Sequence, residues 1–248
     1  MTQGHKIIKG LAIALAVFII VSILSGIVYA VVELASIFTD EENLLDNPNI
    51  IKIEEKIDVI DIEIGATNLI IKDGEEFKVE TNDGDIIIDQ EGSTLKINEK
   101  NSKKFISKSK SKLTIYIPKE ESVDQLILEL GAGNVSIENI EVRAQTEIQG
   151  GAGNIEISSS ILNNIDFELG VGNVNLEAYL YGENSIECGV GNLDLNLLNK
   201  DDYKISIEKG VGTISVNDKN AKNNTTIGNG DHIIDIEGGV GNIDVITK

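Results

Sequence analysis

IDFELGVGNVNLEAYLYGENSIECGVGNLDLNL, residues 165–197, contains two copies of one short phrase, Gly-Val-Gly-Asn, 19 residues apart, and this repeat indicates the fold. The phrase recurs through the second half of the chain at steps of 20, 19, 19, 21 and 29 residues. The longest step is interpreted as a loop inserted at residues 217–231 that is too polar to pack. Its six copies, of which two read GAGN, three GVGN and one GVGT, begin at Gly131, Gly151, Gly170, Gly189, Gly210 and Gly239. A degenerate copy, GATN, begins at Gly65. A period near 20 is typical of a solenoid whose repeats stack on one another.

Apolar residues alternate with polar ones on both sides of each copy. Three residues before the first glycine, and four and six residues after it, every position is apolar, whereas the residue five after it is always polar. Period-two alternation on both sides of a turn predicts two short strands per repeat, each with one buried face. The sequence therefore predicts an all-β, right-handed, single-stranded parallel β-helix with rungs of about 20 residues, covering residues 49–248.

The turn between the two strands has a constant composition. Glycine reaches positive φ without penalty, asparagine tolerates the left-handed region, and we expect the Ala or Val between the glycines to point inward. Stacking would place the asparagines in a hydrogen-bonded ladder that Thr213 interrupts and Asn242 ends. The predicted structural turn residues are Gly131, Gly133, Asn134, Gly151, Gly153, Asn154, Gly170, Gly172, Asn173, Gly189, Gly191, Asn192, Gly210, Gly212, Gly239, Gly241 and Asn242.

The first residues do not belong to the repeat. Residues 10–32 contain no charge and are long enough for a transmembrane helix. Lys6 and Lys9 precede this stretch, and the charged residues that follow it closely are all acidic. We therefore expect residues 1–9 in the cytoplasm and the repeats outside the cell membrane. Residues 33–48 are interpreted as an acidic linker that ends in a turn at Asn47-Pro48. The alternative is a cleaved secretory signal ending near Ala30.

The charge of the chain limits its partners. The net charge is −20. The part of the chain after the apolar stretch contains 19 basic residues (21 less Lys6 and Lys9) and all 41 acidic residues. Nucleic acid is excluded as a partner by this charge. A row of acidic residues lies two positions before the first glycines, and its candidate cation-binding members are Glu129, Glu168, Glu187, Glu208 and Glu237. Stacked carboxylates repel one another, so this row favours a divalent cation or a cationic peptide, although a simple solvated face is the plainer interpretation.

Other motifs carry less. The Gly-x-Gly phrase lacks the third glycine and the helix of a dinucleotide site, and it lacks the aspartate and nine-residue period of a calcium roll. The single cysteine, Cys188, is interpreted as a buried apolar residue. The lysine-rich segment 100–112 is interpreted as a solvated loop, or as a contact for an anionic wall polymer or the acidic face of a partner. With only His5 and His232 in the chain, we expect no enzyme, no cofactor and no dedicated metal site.

The stretch LTIYIPKEESVDQLILELGAGNVSIENI, residues 113–140, resembles the putative-adhesin family of bacterial envelope proteins, whose β-solenoid is called the toastrack domain. The resemblance implies a non-enzymatic β-helix, often tethered by one membrane helix. In Gram-positive bacteria it also implies a part in envelope stress signalling or surface interaction. We therefore expect a membrane-anchored extracellular binding or sensing module with an envelope protein, a cationic peptide or a divalent cation as partner. A structural adhesin or scaffold that acts by solenoid stacking is the alternative.

Overall fold

A computed structural model of the chain describes residues 44–100, 110–199 and 202–247. Every regular element in these residues is a β-strand. The first half contains β1 Leu44–Lys52, β2 Val59–Ile64, β3 Asn68–Gly74, β4 Lys78–Asp83, β5 Ile86–Glu91, β6 Thr94–Glu99, β7 Lys112–Pro118, β8 Val123–Ala132 and β9 Val135–Glu138. The second half contains β10 Glu141–Asn163, β11 Ile165–Tyr181, β12 Glu183–Val190, β13 Leu193–Leu197, β14 Tyr203–Val211, β15 Ile214–Val216, β16 Lys219–Ala221, β17 Thr225–Ile227, β18 His232–Val240 and β19 Ile243–Thr247.

The strands on either side of each glycine turn form the rungs of a parallel stack, as the repeat predicts. β10 and β11 are each a complete rung, because each strand runs through its glycine turn without interruption. The two rungs pair in parallel from Thr146–Ile165 to Asn163–Tyr181. The 18 inward positions predicted from the alternation are all buried, among them Leu128, Phe167 and Ile186, each 0% exposed. The predicted parallel solenoid core is confirmed, and the handedness of its coil stays a prediction.

The spatial order of the rungs departs from chain order at both ends of the stack. In the middle, β8/β9, β10, β11 and β12/β13 follow one another as expected. At the first end β2/β3 lies between β6/β7 and β8/β9. At the other end β18/β19 lies between β12/β13 and β14/β15. The expectation that each repeat stacks on the next in sequence is therefore wrong for the outermost rungs.

Antiparallel strands cover both ends of the stack. At the first end β5 pairs with β6, β4 with β7 and β1 with β4. At the other end β17 pairs with β14 and β16 with β15. The polar segment 217–231, interpreted from sequence as a loop too polar to pack, in fact forms β16 and β17, and its Ala221 and Ile227 pack against the core. Backbone pairing places this segment on the stack because an open strand edge leaves N–H and C=O groups unpaired.

The boundary at the start of the solenoid also differs from expectation. β1 begins at Leu44, inside the segment interpreted as a linker, and Asn47-Pro48 lies within the strand rather than in a turn. The register of β1 against β4 shifts between Leu44 and Asn49. Proline is tolerated there because an edge strand has a side that needs no N–H donor.

Among the described residues, no helix has the length and apolar character needed to cross a bilayer. The predicted cytoplasmic segment 1–9, the apolar stretch 10–32 and the first part of the linker lie outside the described residues, as does His5.

Candidate functional site

The acidic row predicted from the repeat forms one continuous line of outward side chains. In spatial order its members are Glu63, Glu129, Gln149, Glu168, Glu187, Glu237 and Glu208, each paired in register with the next. All seven are exposed. Neighbouring rungs lie about 4.8 Å apart, so two adjacent carboxylates repel by about 0.9 kcal/mol in bulk water. The swap at the last rungs places Glu237 before Glu208 without breaking the line.

The acidic row forms the edge of a groove floored by glycine. A cavity of about 690 Å³ is lined by Glu63, Glu129, Gln149 and Glu168 together with the first glycines of their turns. A second cavity of about 420 Å³ continues from Glu168 and Gly170 along the remaining rungs to Glu208 and Gly210. A groove forms here because glycine has no side chain to fill the space beside each glutamate. We call this feature the acidic groove.

A second outward row deepens the negative field beside the groove. Glu147 pairs in register with Asp166, and Ser185 with Asp235, two positions before the glutamate row. Gln149, the single uncharged member of the main row, donates a hydrogen bond of 3.0 Å to Glu147. Every rung of the groove therefore carries at least one carboxylate, and Lys209 lines the last rung beside Glu208.

The residue between the two glycines of each turn points outward, contrary to expectation. Val171 is 50% exposed and Val211 46% exposed, and each lies in register with its counterpart on the neighbouring rung. The alternation that holds along the strands does not continue through the corner, because the glycines on both sides of this residue change the direction of the chain. The outward Ala and Val side chains form a low apolar ridge next to the glycine floor.

The asparagines of the turn form a ladder along the stack. Asn134 donates to Asn68, Asn154 to Asn134, Asn173 to Asn154 and Asn192 to Asn173, at 3.1 to 3.2 Å. The backbone N–H of Asn242 then donates to Asn192, and the Thr213 hydroxyl donates to Asn242 at 2.8 Å. Thr213 ends the ladder rather than interrupting it, because its rung lies outside that of Asn242.

Close approach of the backbones requires both glycines of the turn. A Cβ on the first glycine would contact the carbonyl oxygen of the corresponding glycine on the next rung. The second glycine, such as Gly172 with φ of 152°, would be obstructed in the same way. The ladder asparagines do not have positive φ; Asn139, Ser159 and Asn164 at other corners do. The left-handed conformation expected of the turn asparagines is therefore wrong, and their amides serve the ladder instead.

The inward column immediately before the first glycines contains a buried lysine that was not predicted from the sequence. Cys188 is buried, as predicted, and burial raises the pKa of its thiol. Lys209 occupies the same column and is only 7% exposed. Burial lowers the pKa of the Lys209 ammonium. The sequence contained a signal for this, because Lys209 is the one basic residue in a column where the other repeats have Leu, Cys or Gly.

The remaining candidates form no reactive cluster. Within the described ranges, no three His, Cys, Asp or Glu side chains converge to hold a metal ion. His232 accepts a hydrogen bond from the Gly182 N–H at 3.1 Å and packs edge-on against Tyr181. Of the lysine-rich segment, Lys103, Lys104 and Lys108 lie outside the described residues, while Lys112 begins β7. The acidic groove is thus the candidate site that the geometry supports best.

Comparison with solved structures identifies proteins of similar fold. A putative cell adhesion protein from Clostridium sporogenes aligns with a TM-score of 0.52 and 20% identity, covering 82% of this chain and 99% of that chain. A putative adhesin from Bacteroides fragilis aligns with a TM-score of 0.43 and 15% identity, covering 79% and 95%. A putative adhesin from Parabacteroides distasonis gives a TM-score of 0.37 and 11% identity, covering 81% and 98%. The Clostridium structure shows the shared fold.

Comparison with curated proteins gave no match. The family model described as Toastrack DUF4097 matches residues 57–245, from just before β2 into β19. This match confirms the resemblance inferred from residues 113–140. The chain belongs to the Toastrack DUF4097 family.

Proposed function

We propose that this chain is a non-enzymatic binding or sensing module of the cell envelope, tethered by its apolar segment 10–32 with the solenoid on the extracellular side. Its contact surface is the acidic groove, and its ligand is an extended cationic polypeptide, free or as part of an envelope protein. The observation that supports this proposal is the unbroken row of six glutamates and one glutamine beside a glycine floor.

The shape of the groove favours a chain-like ligand over a single ion. The row spans seven rungs, or about 29 Å at roughly 4.8 Å per step, which corresponds to about nine residues of an extended peptide. A divalent cation needs several oxygen ligands around one point, whereas the outward glutamates are spaced along a line. Lysine or arginine side chains laid along the row would relieve the repulsion between neighbouring carboxylates.

The covered ends of the solenoid argue against the alternative, a scaffold built by end-to-end stacking. Parallel stacking of a second molecule needs an open rung, yet β5, β4 and β1 cover one end and β16 and β17 cover the other. A partner is therefore expected on the side of the solenoid, where the groove lies.

The proposal is tested by binding of a fluorescent decalysine peptide to the full chain in nanodiscs of uncharged lipid. We expect binding that weakens steeply with added salt, because the contacts are exposed charge pairs. Changing Glu129, Glu168, Glu187 and Glu237 to Gln should weaken binding at least about tenfold, since each lost ion pair contributes up to about 1 kcal/mol.

The matched control changes four other exposed carboxylates, Glu120, Glu121, Glu141 and Glu156, to Gln. This control has the same net charge as the groove variant, so equal weakening in both would show a general charge effect and contradict the groove. Calcium is titrated separately, and a calcium site that the groove variant abolishes would replace the peptide as the ligand.

The anchoring part of the proposal needs its own test. Protease added to intact cells should remove the solenoid epitope while an N-terminal tag stays protected. Release of an intact solenoid into the medium, with a new N-terminus near residue 31, would instead show the cleaved-signal alternative.

A further inference from the structure

We propose that Lys209 selects the order in which the last two rungs stack, by requiring its own rung to be the outermost one. Two arrangements of these rungs are compatible with the repeat. In the observed one, Ile186 and Glu187 of β12 pair with Ile236 and Glu237 of β18. In chain order they would pair with Ile207 and Glu208 of β14, which present the same residue types. The shared columns therefore do not distinguish the two arrangements.

Lys209 lies at the end of its inward column. The column contains Leu169, Cys188, Gly238 and Lys209 in spatial order. The Lys209 ammonium donates a hydrogen bond to the Thr213 carbonyl at 3.4 Å. The backbone N–H of Lys209 donates to the Asn223 side-chain oxygen, and the Asn223 side-chain amide donates to the Lys209 carbonyl, each at 2.7 Å. Within the described part of the chain no carboxylate forms an ion pair with Lys209. Lys209 also lines the second cavity of the acidic groove beside Glu208, so its side chain is not enclosed between two rungs.

The stem of the lysine lies over the neighbouring glycine. A Cβ built on Gly238 would lie 3.6 Å from Cγ of Lys209 and 2.8 Å from Cδ1 of Ile243. Stacked in chain order, Lys209 would instead lie on the Cys188 side chain and be covered from its other side by the rung of Gly238. A lysine enclosed in this way without a carboxylate is strongly unfavourable.

The opposite end of the stack shows the same arrangement. Glu99 follows Asn98, which pairs with Glu63, so it begins the same inward column one rung before Ile64. Glu99 is 8% exposed and accepts hydrogen bonds from the backbone N–H groups of Gly65, at 2.7 Å, and Ala66, at 3.4 Å. Chain order would place this rung between β2/β3 and β8/β9. At both ends, the swap moves an inward ionisable residue from an interior position to the end.

The test is disulfide trapping in the full chain, with Cys188 changed to Ala. The pair Glu187→Cys and Glu237→Cys reports the observed order, and the pair Glu187→Cys and Glu208→Cys reports chain order, because only residues on adjacent rungs come within disulfide reach. With Lys209 present we expect only the 187–237 bond. With Lys209→Leu we expect the 187–208 bond to increase at least about tenfold, since 1.4 kcal/mol corresponds to a tenfold population change.

Lys209→Arg is the conservative control and should keep the observed order. Retention of only the 187–237 bond in Lys209→Leu would overturn the proposal and assign the order to the covering strands β16 and β17. Lys209→Met preserves the unbranched stem over Gly238, so it decides the question if the leucine variant does not fold. The exchange Lys209→Gly with Gly238→Lys should invert the order, and the observed bond pattern in that variant would also contradict the proposal.

Discussion

The middle rungs and the outermost rungs of this solenoid are built from the same repeat but obey different constraints. Between Val123 and Leu197, each rung is covered on both sides and chain order equals spatial order. The buried polar side chains of this region, Thr146, Ser160 and Asn184, are all uncharged. At the ends, the order is exchanged, antiparallel strands cover the open rung, and Glu99 and Lys209 occupy the inward column. The difference shows that a repeat specifies a rung, whereas the exceptions to the repeat specify where the stack stops.

The largest expected loss of stability comes from a charge placed in the interior of a middle rung. Ile186→Asp places a charge at a position that is 0% exposed and should cost about 4 kcal/mol of unfolding free energy. Glu187→Gln, one residue along, should change it by less than about 0.5 kcal/mol because that side chain is solvated. Chemical denaturation of both variants measures the difference, and similar losses in the two would contradict the inward and outward assignment.

Gly172→Ala tests the close approach of two middle rungs. A Cβ there would overlap the Gly153 carbonyl oxygen and occupy a φ of 152°, so we expect a loss of about 3 kcal/mol. The matched end position is Gly92, in the turn between β5 and β6, where φ is 60° and nothing lies within 4 Å of the added atom. Gly92→Ala should cost only about 1 kcal/mol, from backbone strain alone. Equal melting temperatures for the two variants would contradict this account.

Alkaline pH should act on the last rung. Burial raises the pKa of Tyr203, the first residue of β14, to about 12 from its usual 10.0. The folded state therefore holds this proton more tightly than the unfolded state, and stability is lost as the pH rises from about 10 to about 12, by roughly 2 to 3 kcal/mol.

Denaturant unfolding at several alkaline pH values measures this loss. Tyr203→Phe should remove the Tyr203 part of the pH dependence, while Tyr179→Phe, which alters an exposed ring, serves as the control. An unchanged pH profile in Tyr203→Phe would show that the burial of this hydroxyl is not the cause.

The smallest expected effect compares the middle and the end of the asparagine ladder. Asn154→Ala removes the acceptor for Asn173 and the donor to Asn134, and it should cost about 1 kcal/mol. Thr213→Ala removes one side-chain hydrogen bond at the end of the ladder and should cost about half as much. Hydrogen exchange of the turn amides measures both effects. Faster exchange in the Thr213→Ala variant than in the Asn154→Ala variant would contradict the expected order.

The sequence predicted the core columns and the acidic row because both depend on local rules. Leu128, Phe167 and Ile186 alternate with polar neighbours, and alternation along a strand assigns a face without knowledge of the fold. The two-residue period does not hold at Val171, which lies at a corner between two glycines where the chain changes direction. Local rules also could not assign the turn asparagines, since tolerance of positive φ and formation of a ladder both favour the same residue.

The repeat is enough to establish a stack of glycine-marked rungs with an apolar interior and an acidic outer row, because every copy has the same pattern of buried and solvated positions. Only the tertiary structure decided which rungs are neighbours. Ile207 and Ile236 offer the same side chain to Ile186, so the choice depends on residues far apart in the chain. These are the enclosed ionisable side chains and the strands that cover the ends, and their energy is defined only once the rungs have been stacked.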